Sequence, residues 1–257
     1  LTEEEKLETA DYDNFNFKDD AITLDIKLLG KEIKFFCPNN ELMKNIVIGI
    51  LKGNDYPILP IPNYTPKVIL DIGANIGASA IYFVSNFPNA EIHCYEPSSK
   101  NYKYLQNNTK NFSNIKCYQY GLYKEDGQVK LFYGKDQSAQ DSIVFSNETV
   151  ESGETVHLVK ASKEILNKGI KDISILKIDT EGCEIPILNE FDKLENLNID
   201  MIYIEYHSED DRLALDKQLS EYFLLFYSNA RSIHRGTNGY ISKKLCKRHS
   251  EMEWLKK

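Results

Sequence analysis

Several kinds of protein are excluded by what the sequence lacks. Its five cysteines, Cys37, Cys94, Cys117, Cys183 and Cys246, are scattered, and none forms a C-x-x-C pair or stands at zinc-ligand spacing from a histidine. That excludes a disulfide framework or a structural zinc site, and it fits buried free thiols in a reducing, cytoplasmic compartment. The longest apolar run, Ile46 to Leu51, is far short of the roughly 20 residues that a membrane-spanning helix needs. Positive charge is also in deficit: 31 basic against 39 acidic residues give a formal charge of −8. Such a balance argues against a surface that coats nucleic acid or anionic membrane. Internal repeats and low-complexity tracts are missing too. The chain opens at Leu1 rather than Met, which leaves a preceding segment open.

What is present is apolar enough to fold. Hydrophobic residues make up 42% of the 257 positions, with 16 Tyr and 12 Phe, so one principal core can offset the entropy of ordering. The first ten residues are charged and read as a tail or a helix that needs a partner. Ile22, Leu24, Ile26 and then Ile33, Phe35 alternate about Leu29-Gly30-Lys31, which predicts a hairpin turning at the glycine. A helix over Glu41 to Leu51 follows. Pro57, Pro60 and Pro62 then withdraw donors and fix φ, so the main domain is expected to begin beyond them. This divides the chain into an N-terminal extension (1–62: hairpin and helix) and a principal domain (63–257).

From there strands and helices alternate. Strands are expected at Lys67 to Ile72, Glu91 to Tyr95, Ile115 to Tyr120, Val156 to Val159, Ile173 to Ile178, Asp200 to Tyr206, Phe223 to Tyr227 and Gly239 to Lys243, with a hairpin-like pair around Asp126-Gly127. Helices are expected over Ile76 to Phe87, Lys100 to Asn108, Lys163 to Asn167, from Thr180 through Leu188, and over Asp211 to Leu219. Repeated βα units imply an α/β fold, a mostly parallel, doubly wound sheet of Rossmann-like form with helices on both faces.

The chemistry starts where the first core strand, Val68 to Ile72, runs into Gly73-Ala74-Asn75-Ile76-Gly77 and directly into a helix. Glycines let backbone approach a ligand, and a helix N-terminus offers unpaired N–H groups. Glu96 closes the next strand, where a doubly wound sheet puts a carboxylate that can accept both hydroxyls of an adenosine ribose. Asn75 fills the place where a dinucleotide site has its second glycine, and Asp71 would repel a pyrophosphate while suiting the ammonium and sulfonium of S-adenosylmethionine. That disfavours an NAD enzyme. Asp71, Gly73, Ala74, Asn75, Gly77, Ser79, Glu96 and Gly121 are the candidate donor contacts. A lone pair of glycines would read as no more than a tight turn; strand, Asp71, Asn75, helix and Glu96 together favour the methyl donor.

Opposite the glycine loop, one strand ends in Asp179-Thr180-Glu181-Gly182-Cys183-Glu184 and the next in Glu205-Tyr206-His207. Taken with Asp71-Ile72-Gly73-Ala74-Asn75-Ile76-Gly77 and the Lys177-Ile178-Asp179 strand end, this order and spacing resembles the FkbM methyltransferase family over about Lys67 to His207. The resemblance implies a class I methyltransferase fold and an S-adenosylmethionine-dependent O-methyltransferase that tailors sugars, glycans or natural products. It further implies Gly73, Asn75, Gly77 and Glu96 at the donor and Asp179 and His207 near the acceptor. Two departures stand out: Gly121-Leu122-Tyr123 replaces an Ala-Leu-x-Asp pattern, and Cys183 occupies a position commonly small and inert.

A hydroxyl acceptor must lose its proton, which makes Asp179 and His207 the candidate general bases. Two blander readings stay open, in which Asp179 caps the helix expected from Thr180 and His207 is a surface residue. Glu181 and Glu205 are expected near the acceptor. A magnesium ion on Asp179, Glu181 and Glu205 is the less favoured alternative, so no metal is expected. No acid occurs from Tyr222 to Ser250, and the loop Ser228 to Asn238 carries Arg231, His234 and Arg235. Hanging over the crevice, Arg231 and Arg235 predict a phosphate or carboxylate on the acceptor. The rivals are an RNA or nucleotide methyltransferase, supported only by that basic stretch, and a non-catalytic donor-binding module, which would have no need of acids at both strand ends.

Overall fold

The computed structural model describes residues 21–249 apart from 29, 135–141, 144–148 and 233; the charged first ten residues lie outside the described residues. Alternation builds the first element: in β1 (Ala21–Leu28), Leu24, Ile26 and Leu28 are half-buried while Thr23, Asp25 and Lys27 face solvent. It pairs antiparallel with β2 (Lys31–Pro38), Ile26 opposite Ile33. The side chain of Asn40 accepts from the Met43 amide at 2.8 Å and so starts α1 (Glu41–Leu51), whose Met43, Val47 and Leu51 turn inward at fourfold spacing.

The main sheet is assembled from β3 (Val68–Ile72), β4 (Glu91–Tyr95), β5 (Ile115–Tyr118), β9 (Asp172–Ile178), β10 (Asn198–Tyr206), β11 (Phe223–Ala230) and β12 (Gly236–Ser242). They lie in the order β11-β12-β10-β9-β3-β4-β5. All contacts between neighbours are parallel except those of β12, which runs against both β10 and β11. Thus β11 points the same way as the parallel strands, as expected. β6 (Gly121–Tyr123), β7 (Gly127–Gly134) and β8 (Thr149–Lys160) form a smaller sheet. The helices are α2 (Ala78–Asn86), α3 (Ser99–Thr109), α4 (Ala161–Asn167), α5 (Glu184–Phe191), α6 (Glu209–Leu219) and α7 (Lys243–Arg248).

Period-two geometry explains why the inner strands carry apolar residues toward both faces. Ile69 joins one buried cluster with Phe35, Val47, Tyr56 and Phe83, and its neighbour Leu70 joins another with Leu176, Ile187 and Ile202. Residues of the extension therefore belong to the core of one sheet face. Asn108 on α3 clamps them there, accepting from the Phe36 amide at 2.8 Å and donating to the Phe36 carbonyl at 2.9 Å.

Several boundaries differ from expectation, and two of them have a clear local cause. Lys243 starts a helix instead of ending a strand, because the Ser242 hydroxyl caps the Leu245 amide at 3.1 Å. The helix expected from Thr180 begins at Glu184, since Glu181 and Gly182 take positive φ values of 56° and 108° that interrupt helical geometry. Asp179 is consequently no helix cap.

The strand order reverses between β3 and β9, and there the glycine loop packs directly against the Asp179 backbone. Gly73 has φ +76°, and a Cβ on it would lie 1.8 Å from the Asp179 carbonyl oxygen. Gly73→Ala is therefore expected to lower stability by at least about 2 kcal/mol, from clash plus left-handed strain. An unchanged urea midpoint would contradict this packing.

Candidate active site

At the carboxyl ends of the parallel strands opens a cavity of about 590 Å³, a volume in the ordinary range for a small-molecule site. Its walls differ in character. Leu42, Met43, Ile46 and Ile50 of α1 give an apolar side, while the strand ends bring Glu96, Lys177, Asp179, Glu181 and Glu205. Crevices of this kind form where strand order reverses.

On one half lies the glycine loop. The Gly73 and Ala74 amides both donate to the Tyr95 carbonyl at 3.0 Å, and Asn75 and Gly77 follow with φ of 49° and 93°. These left-handed turns bring the loop back to the start of α2. Glu96, at the end of β4, accepts from the Asn75 amide through Oε2 and from the Ser98 amide through Oε1, each at 2.8 Å. These two backbone bonds orient the Glu96 carboxylate. Gly121 of β6 also borders the cavity.

Ser79 borders the cavity as expected of a donor-side residue, whereas Asp71 lies behind it. Asp71 is wholly buried; it accepts from the Ser79 hydroxyl at 2.6 Å and pairs with the Lys177 ammonium at 3.0 Å. With its charge met inside the protein, it anchors the end of β3 to β9. Burial works against the Lys177 charge, but the Asp71 and Asp179 carboxylates outweigh it and hold its pKa above the ordinary value. Lys177 also donates to the Gly73 carbonyl at 2.5 Å, so one ammonium ties β9 to the end of β3 and to the glycine loop.

On the other half the acids are bound into a network. Arg231 donates to Glu205 at 3.0 Å and to Asp55 at 3.1 Å; Arg235 donates to Glu205 at 3.0 Å and to Glu181 at 2.5 Å. The two arginines come from a turn, Arg231 to Arg235, shorter than the loop expected because β11 runs on to Ala230. Both guanidinium groups are thus paired with carboxylates of the site while bordering the cavity, where the sequence suggested groups open to an anionic acceptor. The oxygens of Asp179, Glu184 and Glu205, and the ligand atoms of Glu181, Glu205 and His207, each converge within 4.8 Å. Arginine and imidazolium charges already compensate both groups, as a cation would.

His207 is also corrected. Its Nε2 stands 3.3 Å from Glu205 and 3.4 Å from Glu184, and its Nδ1 3.9 Å from Glu181, behind the acids that border the cavity. Burial disfavours its charged form, but hydrogen bonds to Glu184 and Glu205 outweigh that and push its pKa up to about 11. An imidazolium of that kind has no site to accept a proton. Asp179 behaves oppositely: burial and then the Glu205 charge raise it to about 6. Burial likewise raises Glu181 to about 8, reinforced by Glu205 and opposed by Arg235. Burial alone would raise Glu205, but its close polar contacts with His207 and Asp179 and the Arg235 charge hold it down to about 2. Glu184 binds the Thr180 amide at 2.8 Å and the Gly182 amide at 3.0 Å, which fixes the turn that carries Asp179 and Glu181.

Three residues went unassigned in the sequence. Lys177 was visible as a lone cation within an apolar strand, a signal of a buried partner. Asp55 and Tyr56 precede the proline run and carried no local signal; Tyr56 donates to Asp179 Oδ2 at 3.1 Å, across 123 residues of chain.

A family model described as the methyltransferase FkbM domain matches residues 71–230. The chain is similar to Methyltransferase 1 of Beauveria bassiana (strain ARSEF 2860), 27% identical over 186 residues that cover 65% of this chain and 74% of that protein. It is also similar to Methyltransferase sdnD of Sordaria araneosa, 26% identical over 175 residues, covering 56% of this chain and 67% of that protein. A solved structure of methyltransferase FkbM from Methylobacillus flagellatus KT aligns with a TM-score of 0.46 and 18% identity, covering 69% of this chain. The chain spans 43% of the length of that protein. Among the described residues, no helix is long and apolar enough to cross a membrane.

Two outcomes follow from the charges. Lys177→Met leaves the Asp71 carboxylate buried without its cation and should destabilise the fold by about 3–5 kcal/mol in denaturant titration; a loss under about 1 kcal/mol would refute the anchoring role. His207, with its folded pKa raised, contributes stability that is complete below its unfolded value near about 6.5 and is lost as pH rises through about 11. Its ring resonances should accordingly show no titration between about pH 6 and 9 in NMR, and a midpoint near 6.5 would show that the carboxylates do not hold its proton.

Proposed function

The chain belongs to the FkbM methyltransferase family, S-adenosylmethionine-dependent enzymes, and we propose that it methylates a hydroxyl oxygen of a small, polar, neutral acceptor such as a sugar, glycan or natural product. The observation that carries this reading is the position of Asp179: a carboxylate on the cavity wall, its pKa raised to about 6, directly across from the glycine loop. It is ionised at neutral pH yet more basic than an ordinary aspartate, the compromise that a general base needs.

The donor's fit rests on the residues that line the cavity. Glu96 is oriented by two amides and would accept the ribose hydroxyls; the turn from Gly73 to Gly77 brings bare backbone to the cavity, with Ala74 and Asn75 beside it, and Gly121 would border the base. Asp179 and Glu205, ionised at neutral pH, lend that half a negative charge suited to a cationic donor. When bound, S-adenosylmethionine supplies an electrophilic methyl carbon. Asp179 then takes the acceptor proton, while Glu205, held by Arg231 and Arg235, fixes the surrounding side chains. Glu181 and Glu205 would orient the acceptor's other hydroxyls.

The charge balance favours a neutral acceptor over an anionic one. Arg231 and Arg235 face Asp55, Glu181 and Glu205, and no cationic excess is left for a phosphate or carboxylate. Incubation with labelled donor and a panel of sugars, polyols and their phosphorylated or uronic counterparts tests this; label should enter neutral acceptors, and transfer confined to the anionic members would overturn it.

Two substitutions separate the halves of the site. Glu96→Ala should weaken S-adenosylmethionine binding by about 1.5–3 kcal/mol in calorimetry, the worth of hydrogen bonds to a charged group. Asp179→Asn should slow turnover by at least about tenfold and leave donor affinity nearly intact. Parallel loss of donor binding in the second variant would make Asp179 a donor contact and not a base.

A further inference from the structure

The segment before the proline run is pinned to the site at four successive residues. Tyr227 donates its hydroxyl to the Asn54 carbonyl, Asp55 pairs with Arg231 at 3.1 Å, Tyr56 donates to Asp179 Oδ2 at 3.1 Å, and Tyr203 donates to the Pro57 carbonyl. The Tyr56 ring is buried against Phe83 and Tyr203, with centroids 5.8 and 5.6 Å away. This strap lies outside the residues that match the family model, 71–230.

Asp179 is faced by charged and titratable groups from every side. Lys177 of β9 stands 4.0 Å away, Glu205 of β10 and Arg231 of the turn after β11 act on its charge, Glu181 follows in its own turn, and Tyr56 comes from the strap. Burial and Glu205 oppose the ionised form; a hydroxyl donor on Oδ2 favours it. Two rings and two carbonyl anchors fix the direction from which that hydroxyl arrives, so it also restricts the rotamer of the carboxylate.

We propose that Tyr56 is a positioning residue for Asp179, holding its carboxylate ionised and in one orientation toward the cavity. This rests on the reading of Asp179 as the general base. Burial and the surrounding carboxylates raise the Tyr56 pKa well above its ordinary value, so its hydroxyl stays a donor at every working pH.

The test needs no acceptor. In the full chain labelled with ¹³C-carboxyl aspartate, the Asp179 resonance is identified by its loss in Asp179→Asn and titrated in wild type and Tyr56→Phe. The midpoint should rise by about one unit when the hydroxyl is removed, with S-adenosylmethionine affinity unchanged. Site-specific 3-fluorotyrosine at position 56, a stronger donor with the ring retained, should move it down, and this arm decides if Tyr56→Phe fails to fold. An unmoved midpoint overturns the role of Tyr56. Transfer to the acceptor panel by Asp179→Asn is measured alongside: lost turnover with an unmoved midpoint overturns Tyr56 alone, whereas surviving turnover overturns the general base and with it the role given to Tyr56.

Discussion

One buried ion pair carries the geometry of this protein. Lys177 and Asp71 meet at 3.0 Å, both almost wholly buried, at the point where the strand order of the sheet reverses. Each charge alone would be expensive to bury; together, with the Ser79 hydroxyl and the Gly73 carbonyl completing their hydrogen bonds, they hold the end of β3, the glycine loop and the end of β9 in one frame. The close approach of Gly73 to the Asp179 backbone depends on that frame, and so does the distance between the two halves of the cavity.

Charge is handled differently on the two halves. Glu96 is oriented by the Asn75 and Ser98 amides at the end of β4. The acids opposite are more crowded and are compensated by Arg231 and Arg235 from the turn after β11 and by His207 beside Glu205. Glu205 sits at the centre of that network, keeps its charge, and pushes its neighbours Asp179 and Glu181 toward the proton-bound form. One residue held strongly ionised thus sets the basicity of the others, which is how a single fold obtains carboxylates with separate tasks.

Much of this was legible in the sequence because it is local. The βα alternation, the hairpin before α1, the glycine loop and the acids at two strand ends follow from period, turn chemistry and spacing, and all lie where those rules put them. What was not legible depends on partners far apart in the chain. Asp71 reads as a ligand-facing acid until Lys177 is seen beside it; His207 reads as a base until three carboxylates surround it; Arg231 and Arg235 read as an anion site until Glu205, Glu181 and Asp55 take their donors. Tyr56 has no local pattern at all, and only folding brings it to Asp179. Residue type announces the chemistry of a site, while its protonation and its free donors are set by contacts that spacing does not contain.

On the proposed function, the donor lies between Glu96 and the glycine loop with its reactive methyl turned to Asp179. A structure of the chain with S-adenosylhomocysteine, the demethylated donor, tests it most directly. The ribose hydroxyls should be found within hydrogen-bond reach of the Glu96 carboxylate and the sulfur on the side of the cavity that Asp179 borders. A ligand whose ribose makes no contact with Glu96, or whose sulfur faces away from Asp179, would contradict it.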